Sequence, residues 1–173
     1  MIRANRYTLT LILIALCNAT ALGQTKQTAP PTGDLLLKVN GEVASQLNLT
    51  ADDWRKLPHR SVRAKGHDGK ESDYEGVELG EILELAGVKF GEALRGKDLA
   101  LFLVVEAADH YRAVFALPEL DHAFTDRVLL LADRRDGKPL ATNEGPLHLV
   151  VPDEKRQARW VRQVVTLTIR RAD

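Results

Sequence analysis

Four cations fall within eight residues near the C-terminus: Lys155, Arg156, Arg159 and Arg162. Phosphate or another oxyanion needs convergent charged donors, and such a cluster supplies them. The five histidines (His59, His67, His110, His122 and His148) do not suggest a zinc site. None pair at i, i+4 on a helix, and no HExxH pattern occurs. No glycine-rich loop follows a strand, and no Gly-x-Ser-x-Gly elbow is present. The residues therefore favour anion binding over nucleotide, hydrolase or zinc chemistry.

The elements that must position this loop can be read from periodicity and turn chemistry. An apolar run from Val128 to Ala132 reaches a polar corner at Asp136-Gly137, and a second run, Leu147 to Val151, is stopped by Pro152. Two buried strands thus flank a polar loop, with the cationic loop and a final alternating strand beyond. Upstream, Leu35, Leu37 and Val39 mark a strand ending at Asn40-Gly41. Thr50 with Asp53 three residues on marks a capped helix, which Pro58 stops. Trp54 on that helix is expected in the core. Asp68-Gly69 marks a hairpin between strands 59–65 and 72–77. Leu79, Ile82, Leu83 and Ala86 predict a helix over 78–87 with Gly87 as its cap. Leu99 to Val105 and Tyr111 to Phe115 form a hairpin-like pair, Pro118 opens a short helix, and a strand covers 127–132. About seven strands with two or three short helices predict an α+β domain of mixed or antiparallel sheet.

Composition agrees with a packed domain: 45% of the 173 residues are hydrophobic and 28% charged. Residues 1–23 differ. Arg3 and Arg6 precede an apolar run from Leu9 to Leu16, and Ala19-Thr20-Ala21 and Ala21-Leu22-Gly23 suit signal peptidase. This predicts a secretory signal over 1–23, a flexible leader over 24–33 and the domain over 34–171, in a periplasmic or secreted protein. An uncleaved anchor and a lipoprotein beginning at Cys17 are the competing readings. Cleavage removes Cys17, the single cysteine, and with it any thiolate. It also removes two of the 24 basic residues and no acid, leaving 22 against 24. A near-neutral domain gives no electrostatic case for nucleic acid, and no stable membrane span is expected after cleavage.

In order, the segments VNGEV, LTADDWRKLP, YEGVELGEILELAGV, VVEAADHYRAVFALPEL, VLLLADRRDGKPLATNEGPLHLVVP and RWVRQVVTLTI resemble the molybdopterin-binding domain of the sulfite oxidase superfamily. The resemblance covers about Leu35 to Ile169. It implies the sulfite-oxidase-like fold, an α+β domain of mixed sheets and a few short helices, with a deep basic pocket for molybdopterin. It implies oxygen-atom transfer of the sulfite or sulfoxide type. It places cofactor contacts at His110, Arg112, His148, Lys155, Arg156 and Arg159, and a substrate hydrogen bond at Tyr111. Three departures stand beside it. The family's metal-binding cysteine falls where this chain reads Ala64-Lys65-Gly66-His67-Asp68, leaving only His67 or Asp68 as substitute ligands, and imidazole is a poor match for the metal. His148 stands where arginine is usual, losing the two-pronged guanidinium. The added dimerisation domain or pocket insertion of the family's enzymes is not expected. The alternative expectation is a non-catalytic module for a small anion, or for a redox or other protein partner.

Overall fold

A computed structural model describes residues 33–152 and 154–172. The expected signal, Cys17 and almost all of the leader lie outside the described residues. Ten strands form two five-stranded sheets. The first runs in the order β2 (Leu47–Thr50), β1 (Leu35–Gly41), β10 (Val164–Arg171), β5 (Leu101–Ala107), β6 (Arg112–Ala116). The second runs β3 (Arg60–Lys65), β4 (Glu71–Glu78), β7 (Leu130–Arg135), β8 (Lys138–Pro139), with β9 (His148–Val150) also on β7. Among the described residues only β1 and β10 pair in parallel. The other pairs are antiparallel. The α+β expectation holds, with ten strands where about seven were expected.

The described residues form two α-helices, α1 (Ala51–Trp54) and α2 (Leu79–Leu85), with four short 3-10 segments. Thr50 caps α1 as its sequence predicts. The Asp53 amide donates to Thr50 Oγ1 at 3.2 Å, and the Thr50 amide donates to Asp53 Oδ2 at 3.2 Å. Thr50→Ala is expected to cost about 1 kcal/mol in urea unfolding, the usual price of a lost N-cap. Trp54 is buried, as expected. The Pro118 segment is one turn of 3-10 helix. The strand expected over 127–132 begins at Leu130, and the one expected at Leu99 begins at Leu101, after a 3-10 segment over Gly96–Ala100.

β7 lies inside its sheet, between β4 and the β8 and β9 partners, so Leu130, Leu131 and Ala132 are buried on both faces. The register of β4 shifts between Glu75 and Gly76. A side chain at Gly76 would place its Cβ 2.1 Å from the Leu131 carbonyl oxygen, so only glycine lets the two backbones meet there. One apolar core draws on both sheets and α2, through Leu37, Val77, Ile82, Leu103, Leu131, Leu149 and Leu167 among others.

Candidate functional site

His148 opens β9 and points inward. It is 1% exposed, and neither ring nitrogen has a hydrogen-bond partner among the described residues. Its ring meets Trp160 at 5.8 Å and Tyr74 at 6.3 Å, both edge-on. Trp160 is itself buried and fixed by a 2.8 Å hydrogen bond from its indole N–H to the Val151 carbonyl. His67 lies on the other side of Trp160, 6.3 Å between rings. Burial first, then the positive charges of Arg162, His67 and Arg135, push the His148 pKa down to about 3. The imidazole is therefore neutral at pH 7, under three positive or protonatable groups.

Arg135 ends β7 and ties this region together. It grips Asp68 through both carboxylate oxygens at 3.1 and 2.9 Å, donates to Ser72 Oγ at 2.9 Å, and lies 5.4 Å from the Tyr74 ring centroid. Asp68 is held below the usual carboxylate range, chiefly by the Lys70 backbone amide and then by Arg135. Burial raises the Tyr74 hydroxyl. Gly66 sits at the centre of the turn. A Cβ there would meet the Tyr74 hydroxyl at 2.8 Å and Arg135 Nη2 at 3.1 Å. The turn also docks on the cationic loop, since the Gln157 side chain donates to the Lys65 carbonyl. Arg135 and Tyr74 were not singled out in the sequence. They sit in an RRDG corner and an alternating strand, and nothing local marks them.

The residues that the sequence points to for an anion, with His67 as a possible metal ligand and Tyr111 as a substrate contact, fall in several places. His148 and His67 come together around Trp160. Arg159 turns away: its guanidinium bonds Glu154 and Glu119, donates to the Val114 carbonyl at 3.1 Å and stacks 4.3 Å from the Phe115 centroid. Arg112 and His110 are exposed beside β5 and β6 and both contact Glu106, Arg112 with two hydrogen bonds of 3.0 and 3.1 Å. His110 has a φ of 68°, the left-handed conformation in which glycine is easiest, so the turn keeps its shape at some strain. Tyr111 is half-exposed and donates its hydroxyl to the Ala158 carbonyl at 2.5 Å. Lys155 and Arg156 are exposed. Arg162 is half-buried and has no ion-pair partner among the described residues. Among the described residues no group of three or more His, Cys, Asp or Glu side chains is placed to hold a metal ion, His67 included. No helix among them is long and apolar enough to cross a membrane.

A family model, the oxidoreductase molybdopterin binding domain, matches residues 26–173. The chain belongs to this family. The sulfane dehydrogenase SoxCD from Paracoccus pantotrophus is similar in structure at a TM-score of 0.61 and 24% identity. The match covers 77% of this chain and 37% of that one, so this chain spans little more than a third of the SoxCD chain it resembles. That likeness is one of fold. Nothing among curated proteins matches this chain.

The molybdopterin group asks two things of a site: cations for its phosphate and a thiolate for its metal. The cluster of Arg162, Arg135 and His67 fits the first. The turn from Lys65 to Asp68 does not fit the second, because it carries no sulfur, and a side chain on Gly66 would press on the ends of Tyr74, Asp68 and Arg135.

Proposed function

We propose that this chain is an exported, non-catalytic member of the molybdopterin-binding family that binds a small oxyanion. The observation that carries the reading is that His67 packs on Trp160 and Arg135 lies over Tyr74, the two rings that enclose buried His148, with Arg162 two residues after Trp160. Asp68 offsets part of the Arg135 charge, whereas Arg162 and His67 have no acidic partner among the described residues. An oxyanion bound beside Arg162 and Arg135 would offset the remaining positive charge and make charge-assisted hydrogen bonds. Export rests on Arg3, Arg6 and the apolar run from Leu9 to Leu16. Family membership supports a second reading, in which the anion is the phosphate of molybdopterin itself, held without metal chemistry.

Calorimetric titration with sulfate, sulfite and phosphate tests the first reading. Binding is expected to weaken as salt rises, and Arg162→Ala is expected to lower affinity about ten-fold, the loss of one charge-assisted contact. Unfolding of that variant is expected to match the parent protein, because Arg162 makes no ion pair among the described residues. An unchanged affinity in Arg162→Ala rejects the site. Expression in a cofactor-competent, molybdenum-replete host followed by metal analysis and pterin fluorescence separates the two readings. Pterin without molybdenum supports the second; stoichiometric molybdenum overturns both.

A further inference from the structure

We propose a second binding surface, independent of the anion site: a groove across α2 that takes a segment of another protein carrying a lysine or arginine beside a leucine-sized side chain. Two clefts meet there. The larger, about 540 Å³, lies between α2 and the segment that follows the 3-10 turn Leu117–Leu120, and its lining includes Arg60, Glu78, Phe90, Leu120 and His122. The smaller, about 330 Å³, is walled by Leu57, Pro58, Val77 and Leu85. Glu81 and Glu84 line both. They are one helical turn apart, so their carboxylates sit together on the face that separates the two clefts.

Charge decides what this groove accepts. Of the other acids in the larger cleft, Glu78 is already satisfied. Its carboxylate, 6% exposed, bonds Arg60 and receives the His122 ring nitrogen at 2.8 Å. Asp121 is occupied by the backbone amides of Gly91 at 2.7 Å and Ala123 at 2.8 Å. Glu81 and Glu84 have no cationic partner among the described residues. One oxygen of Glu81 is shut away from solvent without a donor, so its charge is only partly hydrated. An incoming ammonium or guanidinium therefore replaces less water than it would at a fully exposed carboxylate.

Shape supplies the rest. Leu85 is 53% exposed at the end of α2, beside Leu57 and Pro58. An apolar side chain in the smaller cleft would cover it while the neighbouring cation spans Glu81 and Glu84. The Phe90 ring on the far side of the larger cleft offers further contact to a guanidinium. Pairing an apolar anchor with a complementary charge gives affinity from one and register from the other. Two acids without a cationic partner among the described residues select against acidic segments.

The test is nitrogen-15 shift mapping on the full-length chain with three probes: the dipeptide amide Leu-Arg, the acidic control Leu-Glu amide, and argininamide. Leu-Arg amide is expected to shift the backbone signals of Glu81, Glu84, Leu85 and His122 saturably, and Leu-Glu amide is not. Glu84→Lys is expected to weaken binding about five-fold, and Leu85→Ser about three-fold, the size of effect expected for one rim charge and one apolar contact. Both positions are exposed, so circular dichroism of each variant is expected to match the parent protein. Absence of saturable shifts, equal response to Leu-Glu amide, or unchanged binding in Glu84→Lys overturns the proposal. Equal affinity for argininamide and the dipeptide also overturns it, because the groove would then serve a free organic cation.

Discussion

Lowering the pH from about 6.5 to about 4.5 is expected to cost the folded protein about 2–3 kcal/mol through His148 alone. The imidazole is enclosed by Trp160 and Tyr74, and its nitrogens have no acceptor among the described residues. Burial is the main reason it resists a proton, and Arg162, His67 and Arg135 add to it, taking its pKa from 6.5 to about 3. The sign follows directly. Between these two values the unfolded chain carries the proton and the folded one does not, so stability rises with pH. The slope approaches about 1.4 kcal/mol per pH unit, one proton's worth, and the whole window to pH 3 amounts to roughly 4–5 kcal/mol. Asp53, Asp68, Glu106 and Asp136 also destabilise on acidification, but each is held below its usual carboxylate pKa by hydrogen bonds, so they act at lower pH.

Urea unfolding at pH 6.5, 5.5 and 4.5 measures the slope, and His148→Leu assigns it. Leucine fills much of the same space without polar atoms, so the variant is expected to lose the pH dependence over this window. It is also expected to gain about 1–3 kcal/mol at pH 7, because two unsatisfied polar atoms leave the core. An equal slope in the variant would place the proton elsewhere. A stabilising substitution at the centre of the proposed anion site would fit a position kept for binding rather than for folding. Anion binding itself is expected to strengthen as pH falls, since a bound negative charge favours the protonated imidazole.

The frame was legible because its signals are local. Thr50 and Asp53 cap a helix three residues apart, Asp68-Gly69 turns a hairpin, and the Leu79–Ala86 spacing marks one helical face. Each is decided within a few residues. The short edge strands were not legible: β8 has two residues and β2 four, too few for a clear period to show, and they account for much of the excess over seven strands, whereas β9 falls within the apolar run Leu147 to Val151. Arg135 was invisible for a different reason. Its partner Asp68 lies 67 residues away, so only the β4–β7 pairing brings the two together. His148 could be named as a departure from the arginine usual in the resembling family. Its burial, and hence its neutrality, depends on where Tyr74 and Trp160 fold.

Arg159 is the sharpest case of the same limit, and its removal is expected to act on stability rather than on ligand. Four cations in eight residues suggest an anion loop, yet this one is claimed by Glu154, five residues upstream, and by Glu119, 40 residues upstream. The guanidinium spends its donors on Glu154, Glu119 and the Val114 carbonyl and lies over Phe115. Arg159→Ala is therefore expected to lower unfolding free energy by about 2–3 kcal/mol, the cost of leaving partly buried carboxylates without their partner. Glu154 is only 14% exposed and loses most. Arg127, 3.2 Å from Glu119 and 3.7 Å from Glu154, remains to compensate in part and holds the loss at that level. Arg159→Lys keeps the charge but not the fork, and is expected to recover about half of the loss. Sulfate affinity of the folded variant is expected to match the parent protein, in contrast to Arg162→Ala. If Arg159→Ala instead weakened sulfate binding and left the unfolding curve unchanged, the loop itself would be the anion site, and the ion pairs with Glu119 and Glu154 would be incidental to the fold.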